Sequence, residues 1–279
     1  MRILITGANG YLGQGIVKNL LDRGHDVIAL DFDLNNVDNR AKRITGDIFQ
    51  IEDWYSQVGR FDSMLHLAWK NGFVHNAHSH LEDLPLHYRF IEKIVSKGIK
   101  QLAVLGTMHE VGFYEGSINE DTSTHPQSLY GISKDALRNA VKLLCESHDI
   151  CFQWIRGFYI VGNAGFGSSI FSKIVQAEFE RKKEFPFTMG QNQWDFLDYN
   201  DFCDQVSAIV SQNKINGIIN ACSGYPEKLA DRVERFIADN NYHIKLKYGA
   251  YKDRPYDSKA VWGDNKKIQK ILTNDRNMI

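Results

Sequence analysis

Apolar and polar positions alternate along the chain with two rhythms. Met1-Arg-Ile-Leu-Ile-Thr6 is a short apolar run with β-branched residues, long enough for one strand buried on both faces. Ile16, Val17, Leu20 and Leu21 then repeat at helical spacing. Asp26-Val-Ile-Ala-Leu-Asp31 reads as a second strand ending in an acid, and Gln101-Leu-Ala-Val-Leu-Gly106 as a later one. Ala136, Leu137, Ala140, Val141 and Leu144 mark a helix opened by Pro126-Gln-Ser-Leu-Tyr130. Strand and helix signals alternate to residue 156, the layering of an α/β doubly wound parallel sheet. From Ala164 the pattern changes: 166–180 reads helical, 185–190 as a short strand and turn, 201–211 as a helix and 217–222 as a strand.

Between the first strand and first helix stand Gly7, Gly10 and Gly13, three residues apart. In such a strand-turn-helix the first glycine permits a tight turn and the second lets the backbone approach a pyrophosphate. The third allows close packing of helix on strand, with the helix N-terminus facing the phosphates. Asp31 follows Gly13 by 18 residues, near the spacing of a carboxylate that binds ribose hydroxyls. A carboxylate there repels a 2′-phosphate, which favours NAD(H) over NADP(H); the alternative role for Asp31 is capping the next turn. The unit reads as an NAD-binding Rossmann fold.

Tyr130 and Lys134 lie four residues apart, on one helix face. A phenol of pKa about 10 is a poor base at neutral pH. A nearby ammonium stabilises the phenolate, so Tyr130 can accept a proton from an alcohol or give one to a ketone. Tyr248 and Lys252 repeat the spacing within a Gly- and Pro-containing segment that lacks a helical stripe, so spacing alone does not make the site. Thr107 closes the strand at 101–106, at the edge where open parallel sheets bind ligands.

Together these residues resemble an extended short-chain dehydrogenase/reductase of the NAD-dependent epimerase/dehydratase group that modifies nucleotide sugars. Thr6–Gly13, Gly46-Asp47-Ile48, His66-Leu67-Ala68, Thr107, Tyr130, Lys134, Arg156–Gly162, Trp194-Asp195-Phe196 and Arg254–Asp257 stand in family order across nearly the whole chain. The resemblance implies catalysis by Thr107, Tyr130 and Lys134. It implies cofactor contacts at Gly7, Asn9, Gly10, Gly13, Asp31 and Phe158, with Tyr11 and Leu12 offering backbone N–H groups to the pyrophosphate. Asp47 and Ile48 would touch the adenine, Leu67 and Ala68 would line the cofactor, and Lys134 would also hold the nicotinamide ribose. By the same analogy 1–163, rejoined by 196–222, forms the Rossmann domain, and 164–195 with 223–279 forms a small substrate-binding lobe. Helices at 80–97 and 128–147 resemble those that pair in a homodimer, although their apolar faces can equally pack within one subunit.

Departures from the family pattern narrow the chemistry. Dehydratases carry Asp-Glu after the threonine; here Met108 and His109 follow, against a 4,6-dehydratase. His109 takes the place of a cysteine found in related reductases, as a second acid/base or a structural hydrogen-bonder. Tyr159 replaces an Asn and Trp194 an Arg on the substrate side, Trp194 as a stacking surface or as packing; Arg254 remains to grip a diphosphate. Lys70 and Asn71 would touch substrate from a loop over the site. His75, His78 and His80 in that loop lack acidic partners, and no metal is expected.

The 279 residues and 43% apolar composition suffice for one such core and a reduced lobe. A net charge of -1 gives no electrostatic case for nucleic acid or an anionic membrane, and no apolar run approaches a spanning helix. Cys145, Cys151, Cys203 and Cys222 lack metal spacing and fit reduced thiols in a cytoplasmic protein. The leading expectation is an NAD(H)-dependent oxidoreductase on a nucleotide-linked sugar, specifically a 4-keto-6-deoxy sugar reductase. The alternatives are a nucleotide-sugar 4-epimerase and an NAD(H)-binding regulatory protein.

Overall fold

A computed structural model describes residues 1–162, 169–252 and 257–276. In the first half, β1 (Arg2–Thr6), α1 (Tyr11–Asp22), β2 (Asp26–Asp31), β3 (Lys42–Thr45), α2 (Ile51–Val58), β4 (Ser63–His66), α3 (Ser79–Val95), β5 (Gln101–Thr107), β6 (Gly116–Ile118) and α4 (Leu129–Ser147) follow in order. The second half holds β7 (Cys151–Gly157), β8 (Tyr159–Val161), α5 (Ile170–Phe179), β9 (Glu184–Pro186), β10 (Gln193–Asp198), α6 (Tyr199–Val210) and β11 (Gly217–Ala221). It ends with β12 (Pro226–Lys228), α7 (Leu229–Asp239), β13 (Lys245–Lys247), β14 (Ala260–Gly263) and α8 (Lys266–Arg276).

Seven strands form a parallel sheet in the order β11-β7-β5-β4-β1-β2-β3. Strand side chains alternate between faces, so successive apolar residues feed two separate cores. Ile3, Ile5, Val27 and Ala29 pack with Ile16 and Leu20 of α1, Phe202 and Val206 of α6 and Ile268 of α8. Leu4, Ile28 and Leu30 pack on the opposite face with Trp54 of α2, Phe90 and Ile94 of α3 and Leu137 and Val141 of α4. This is why the buried strands read as near-continuous apolar runs while the helices read as stripes.

A second sheet runs β12-β10-β14-β6, with β8 also pairing β10, and β9 pairs β13. It takes β6 and β8 from the first 163 residues, and β10 passes through residue 196, so no single cut of the chain separates the two sheets. An apolar cluster of Phe171, Ile174, Phe187, Phe196, Val233 and Phe236 supports this end of the molecule. α5 is capped by the Ser169 hydroxyl, which accepts from Ser172 N–H at 3.0 Å; the helix start expected at residue 166 lies outside the described residues. The basic run Arg181–Lys183 follows its last turn and is exposed. Among the described residues no helix is long and apolar enough to cross a membrane.

Asp195 fastens the second sheet to the first. Its carboxylate is fully buried and accepts the N–H groups of Ser223 (2.8 Å), Gly224 (2.9 Å) and Gly263 (3.0 Å) and the Ser223 hydroxyl (2.7 Å). Asp195→Ala strands these donors and should cost about 2–4 kcal/mol, read as a lower urea midpoint at unchanged slope.

Candidate active site

The glycine turn sits at the carboxyl ends of β1 and β4. Gly7 has φ +71°, and a Cβ on it would stand 2.6 Å from Ala68 N. A Cβ on Gly13 would meet Gly7 O at 2.2 Å. The chain needs glycine at both places, and Leu67 and Ala68 thereby lie directly against the turn. α1 begins after Gly10 with no side-chain cap and no acid in its first turn, so its positive end suits a phosphate. Tyr199 holds the other side of this turn: its hydroxyl donates to Tyr11 O at 2.6 Å and accepts from Gly15 N–H at 3.1 Å.

Asp31 closes β2 beside the turn. One carboxylate oxygen accepts Asn9 N–H at 2.9 Å and the other Phe32 N–H at 2.8 Å. Asp31 therefore braces the loop, and each oxygen keeps acceptor capacity for a ribose hydroxyl. Asn9 Oδ1 in turn accepts Asn36 N–H at 3.1 Å. Gly46 N–H donates to Asp31 O at 3.0 Å, which sets Asp47 next to this strand end, and Ile48 is buried in the α2–α4 core. These residues meet at one edge of the sheet, and the donor set fits NAD.

Thr107, Tyr130 and Lys134 come together on the same edge. Thr107 ends β5 and caps a 3-10 turn, Met108–Glu110, its hydroxyl accepting from His109 N–H at 3.3 Å. Tyr130 lies in the first turn of α4, which Ser128 caps, with its hydroxyl near the Thr107 side chain. Lys134 is buried one turn on; its Nζ donates to Leu105 O at 2.8 Å and stands 4.0 Å above the Trp69 ring. Burial, then the Glu110 charge, pushes the Tyr130 phenol up to about 12, with the Thr107 side chain opposing. Burial pushes Lys134 down to about 7, with Glu110 opposing. Without a cofactor beside it, the buried Tyr130 is therefore held protonated.

Aromatic rings wall the phenol. His75 stacks on Tyr130 at 5.6 Å and 17°, with His80 at 5.3 Å, His109 at 6.2 Å and Trp69 at 6.4 Å. Tyr130 N–H donates to His75 O at 2.8 Å, tying the loop before α3 to α4. His80 is held between Trp69 Nε1–H and Val74 O, each at 3.0 Å. Burial, then His75, takes His109 down to about 4, which removes the near-neutral pKa that a second acid/base would need. In the same loop Lys70 is exposed, and Asn71 adopts φ 58° with its amide on Ser79 Oγ at 3.0 Å.

Tyr159 and Trp194 stack on each other at 4.7 Å and 10°, and Trp194 Nε1–H donates to Ser258 O at 3.1 Å. Both border a small core in which Phe158 packs with Met108, Val111 and Val261. That core joins the Thr107 turn to the second sheet. Arg254 lies outside the described residues. Sequence reasoning missed Trp69, Tyr199 and Glu110; of these, Glu110 carried a readable signal, the Thr-x-x-Glu of a capping box.

A model of the NAD dependent epimerase/dehydratase family matches residues 3–222. The chain belongs to that family. Within it, the chain is 42% identical over 269 residues to a dTDP-6-deoxy-L-talose 4-dehydrogenase (NAD(+)) of Aggregatibacter actinomycetemcomitans, covering 94% of this chain and 99% of that one. It is 22% identical to a GDP-6-deoxy-D-talose 4-dehydrogenase of the same organism, over 99% of this chain and 92% of the relative. The fold also matches a UDP-N-acetylglucosamine 4-epimerase of Methanobrevibacter ruminantium at TM-score 0.83 and 19% identity, covering 97% of this chain and 91% of that structure. This family member is accordingly an NAD-dependent enzyme of nucleotide-sugar chemistry.

The depressed Lys134 pKa has a stability consequence. Between about 7 and an unfolded value of about 10.4 the unfolded chain holds a proton that the folded one lacks, so the Lys134 contribution improves as pH rises through that window. Lys134→Met should gain most over the parent below pH 7 and lose that advantage towards pH 10, measured as paired melting curves across pH.

Proposed function

We propose that this enzyme interconverts a C4 hydroxyl and a C4 ketone on a thymidine-diphosphate-linked 6-deoxyhexose with NAD(H), acting as a 4-keto-6-deoxy sugar reductase when run towards the alcohol. What carries the reading is the assembled Thr107–Tyr130–Lys134 group in a chain 42% identical, over nearly its full length, to a dTDP-6-deoxy-L-talose 4-dehydrogenase. A 4-dehydrogenase and a 4-keto reductase make and break the same C–H bond in opposite directions.

Gly7, Asn9, Gly10 and Gly13, with the N–H groups of Tyr11 and Leu12, would cradle the pyrophosphate, and Asp31 would take the adenosine ribose hydroxyls. Asp47 and Ile48 would border the adenine, Leu67, Ala68 and Phe158 the rest of the cofactor, and Lys134 the second ribose. The bound dinucleotide supplies or accepts the hydride at C4. Thr107 and the Tyr130 hydroxyl would bind the C4 oxygen together. Tyr130 gives that oxygen its proton during reduction and takes it back during oxidation. The protonated phenol is the form that reduction consumes, in keeping with its raised pKa. Residues 164–195 and 223–279 would supply the sugar-nucleotide side, with Lys70, Asn71, His109, Tyr159, Trp194 and Arg254 as candidate contacts. His109 then acts as a neutral hydrogen-bonding wall.

For the assembly we propose a homodimer through α3 and α4, where Leu81, Leu86, Ile132 and Leu143 are exposed. Ile132→Glu with Leu143→Glu should turn a dimer into a monomer in sedimentation velocity; an unchanged species overturns that interface.

The purified enzyme with NADH and a dTDP-linked 4-keto-6-deoxyhexose should oxidise NADH in step with formation of one 6-deoxy sugar. Tyr130→Phe should lower kcat by about 10²–10⁴-fold. Interconversion of C4 epimers without net NADH loss, or a Tyr130→Phe variant that keeps most of its turnover, would overturn the reading.

A further inference from the structure

Glu110 is fully buried beside the reacting pair yet takes no part in the proton transfer above. Its Oε1 accepts Thr107 N–H at 2.7 Å and Trp154 Nε1–H at 2.9 Å. Its Oε2 lies 3.0 Å from the same indole nitrogen and 3.6 Å from the Nε atoms of both Arg138 and Arg156. Room for this arrangement comes from Gly106, where a Cβ would stand 2.0 Å from Trp154 Nε1 and 2.6 Å from Glu110 Oε1. Each of these neighbours is a donor, so a protonated carboxyl would find no acceptor among them. The donors hold the group ionised while burial pushes its pKa up.

Among the described residues, the other ionisable groups around Tyr130 do not supply a negative charge. Lys134 on α4 is committed to Leu105 O, and His75, His80 and His109 bring imidazoles from the loop, α3 and the 3-10 turn. We propose that Glu110 is a positioning residue: its carboxylate pins the main chain that carries Thr107 and sets a fixed negative charge behind Tyr130, so that the phenol gives its proton to a substrate alkoxide and not to solvent. This rests on the reading of Tyr130 as the proton donor. It is supported by the electrostatics, in which Glu110 raises the affinity of both Tyr130 and Lys134 for a proton.

Glu110→Gln keeps an amide oxygen for Thr107 N–H and removes the charge. Oxidation of the alcohol needs the phenolate, so its rate climbs with pH. In Glu110→Gln that climb should begin about one pH unit lower, and Glu110→Asp should restore it. Arg138→Gln disturbs the same buried cluster but keeps the Glu110 charge, so its climb should not move to lower pH. A merely structural role lowers the melting temperature in both variants and leaves the climb in place. If Glu110→Gln alone does not fold, Glu110→Gln with Arg138→Gln leaves Asp135 and Arg156 to balance, and the same downward shift is expected. An unmoved climb in the single or the double variant overturns the proposal. Ultraviolet difference titration of tyrosinate, compared with and without Tyr130→Phe, reads the phenol without any sugar. Earlier ionisation there, in an enzyme that turns over no dTDP-sugar, would uphold the role of Glu110 and overturn the proposed substrate; unchanged ionisation would overturn the role itself.

Discussion

The site depends on an approach of two main chains that leaves no room for a side chain. Gly7 passes so close to Ala68 that the ends of β1 and β4 are in direct contact, at the point where the sheet order turns from β1-β2-β3 to β4-β5-β7. At such a switch point the connections leave in opposite directions and open a crevice above the strand ends. Gly13 packs α1 down onto the same turn, and Tyr199 clamps it from α6. Asp31, Thr107 and α4 then converge on one edge because β2 and β5 flank the β1–β4 pair in this order, though over 120 residues of chain separate the first glycine from Tyr130.

Burial sets the electrostatics of the edge. It opposes charge on Tyr130, Lys134, His75 and His109 alike, and the deeper His66 and His87 are held low for the same reason. Neutral imidazoles form a polar wall without adding charges that would compete for the transferred proton. Among the described residues, the fixed charge in the proposal is that of Glu110, compensated by Arg138 and Arg156. Removing one member of such a group leaves an unpaired buried charge, and for that reason the cluster behaves as a unit.

The seven-stranded sheet was legible because its strands are buried on both faces and its helices on one, which gives strong periodicity. The Gly7–Gly13 turn and the Thr107, Tyr130 and Lys134 group were legible because each chemical task demands a residue type at a fixed spacing. The second sheet was not: β6, β8, β12 and β14 are three or four residues long and owe their pairing to partners far away in sequence. The surroundings of Tyr130 were hidden for a related reason. Trp69, His75 and Glu110 reach it from separate segments, and the sign of their effect depends on burial, which spacing does not encode. His109 shows the cost, since a residue of ordinary near-neutral pKa becomes a neutral wall once enclosed.

In the proposed mechanism a phenol held protonated also reconciles the dehydrogenase and reductase descriptions of one active site. Ketone reduction takes up one proton overall, so its equilibrium weakens tenfold for each unit rise in pH. An enzyme alters neither that stoichiometry nor the equilibrium; it decides which direction carries the pH dependence. With Tyr130 pushed up to about 12, the acid form is nearly fully populated at neutral pH and the phenolate is scarce. The efficiency of reduction then stays level across neutral pH, while that of oxidation rises tenfold per unit, and their ratio reproduces the equilibrium. Direction in the cell then follows from the supply of ketone or alcohol and the state of the cofactor pool, and the proposed role of Glu110 confines the pH dependence to oxidation.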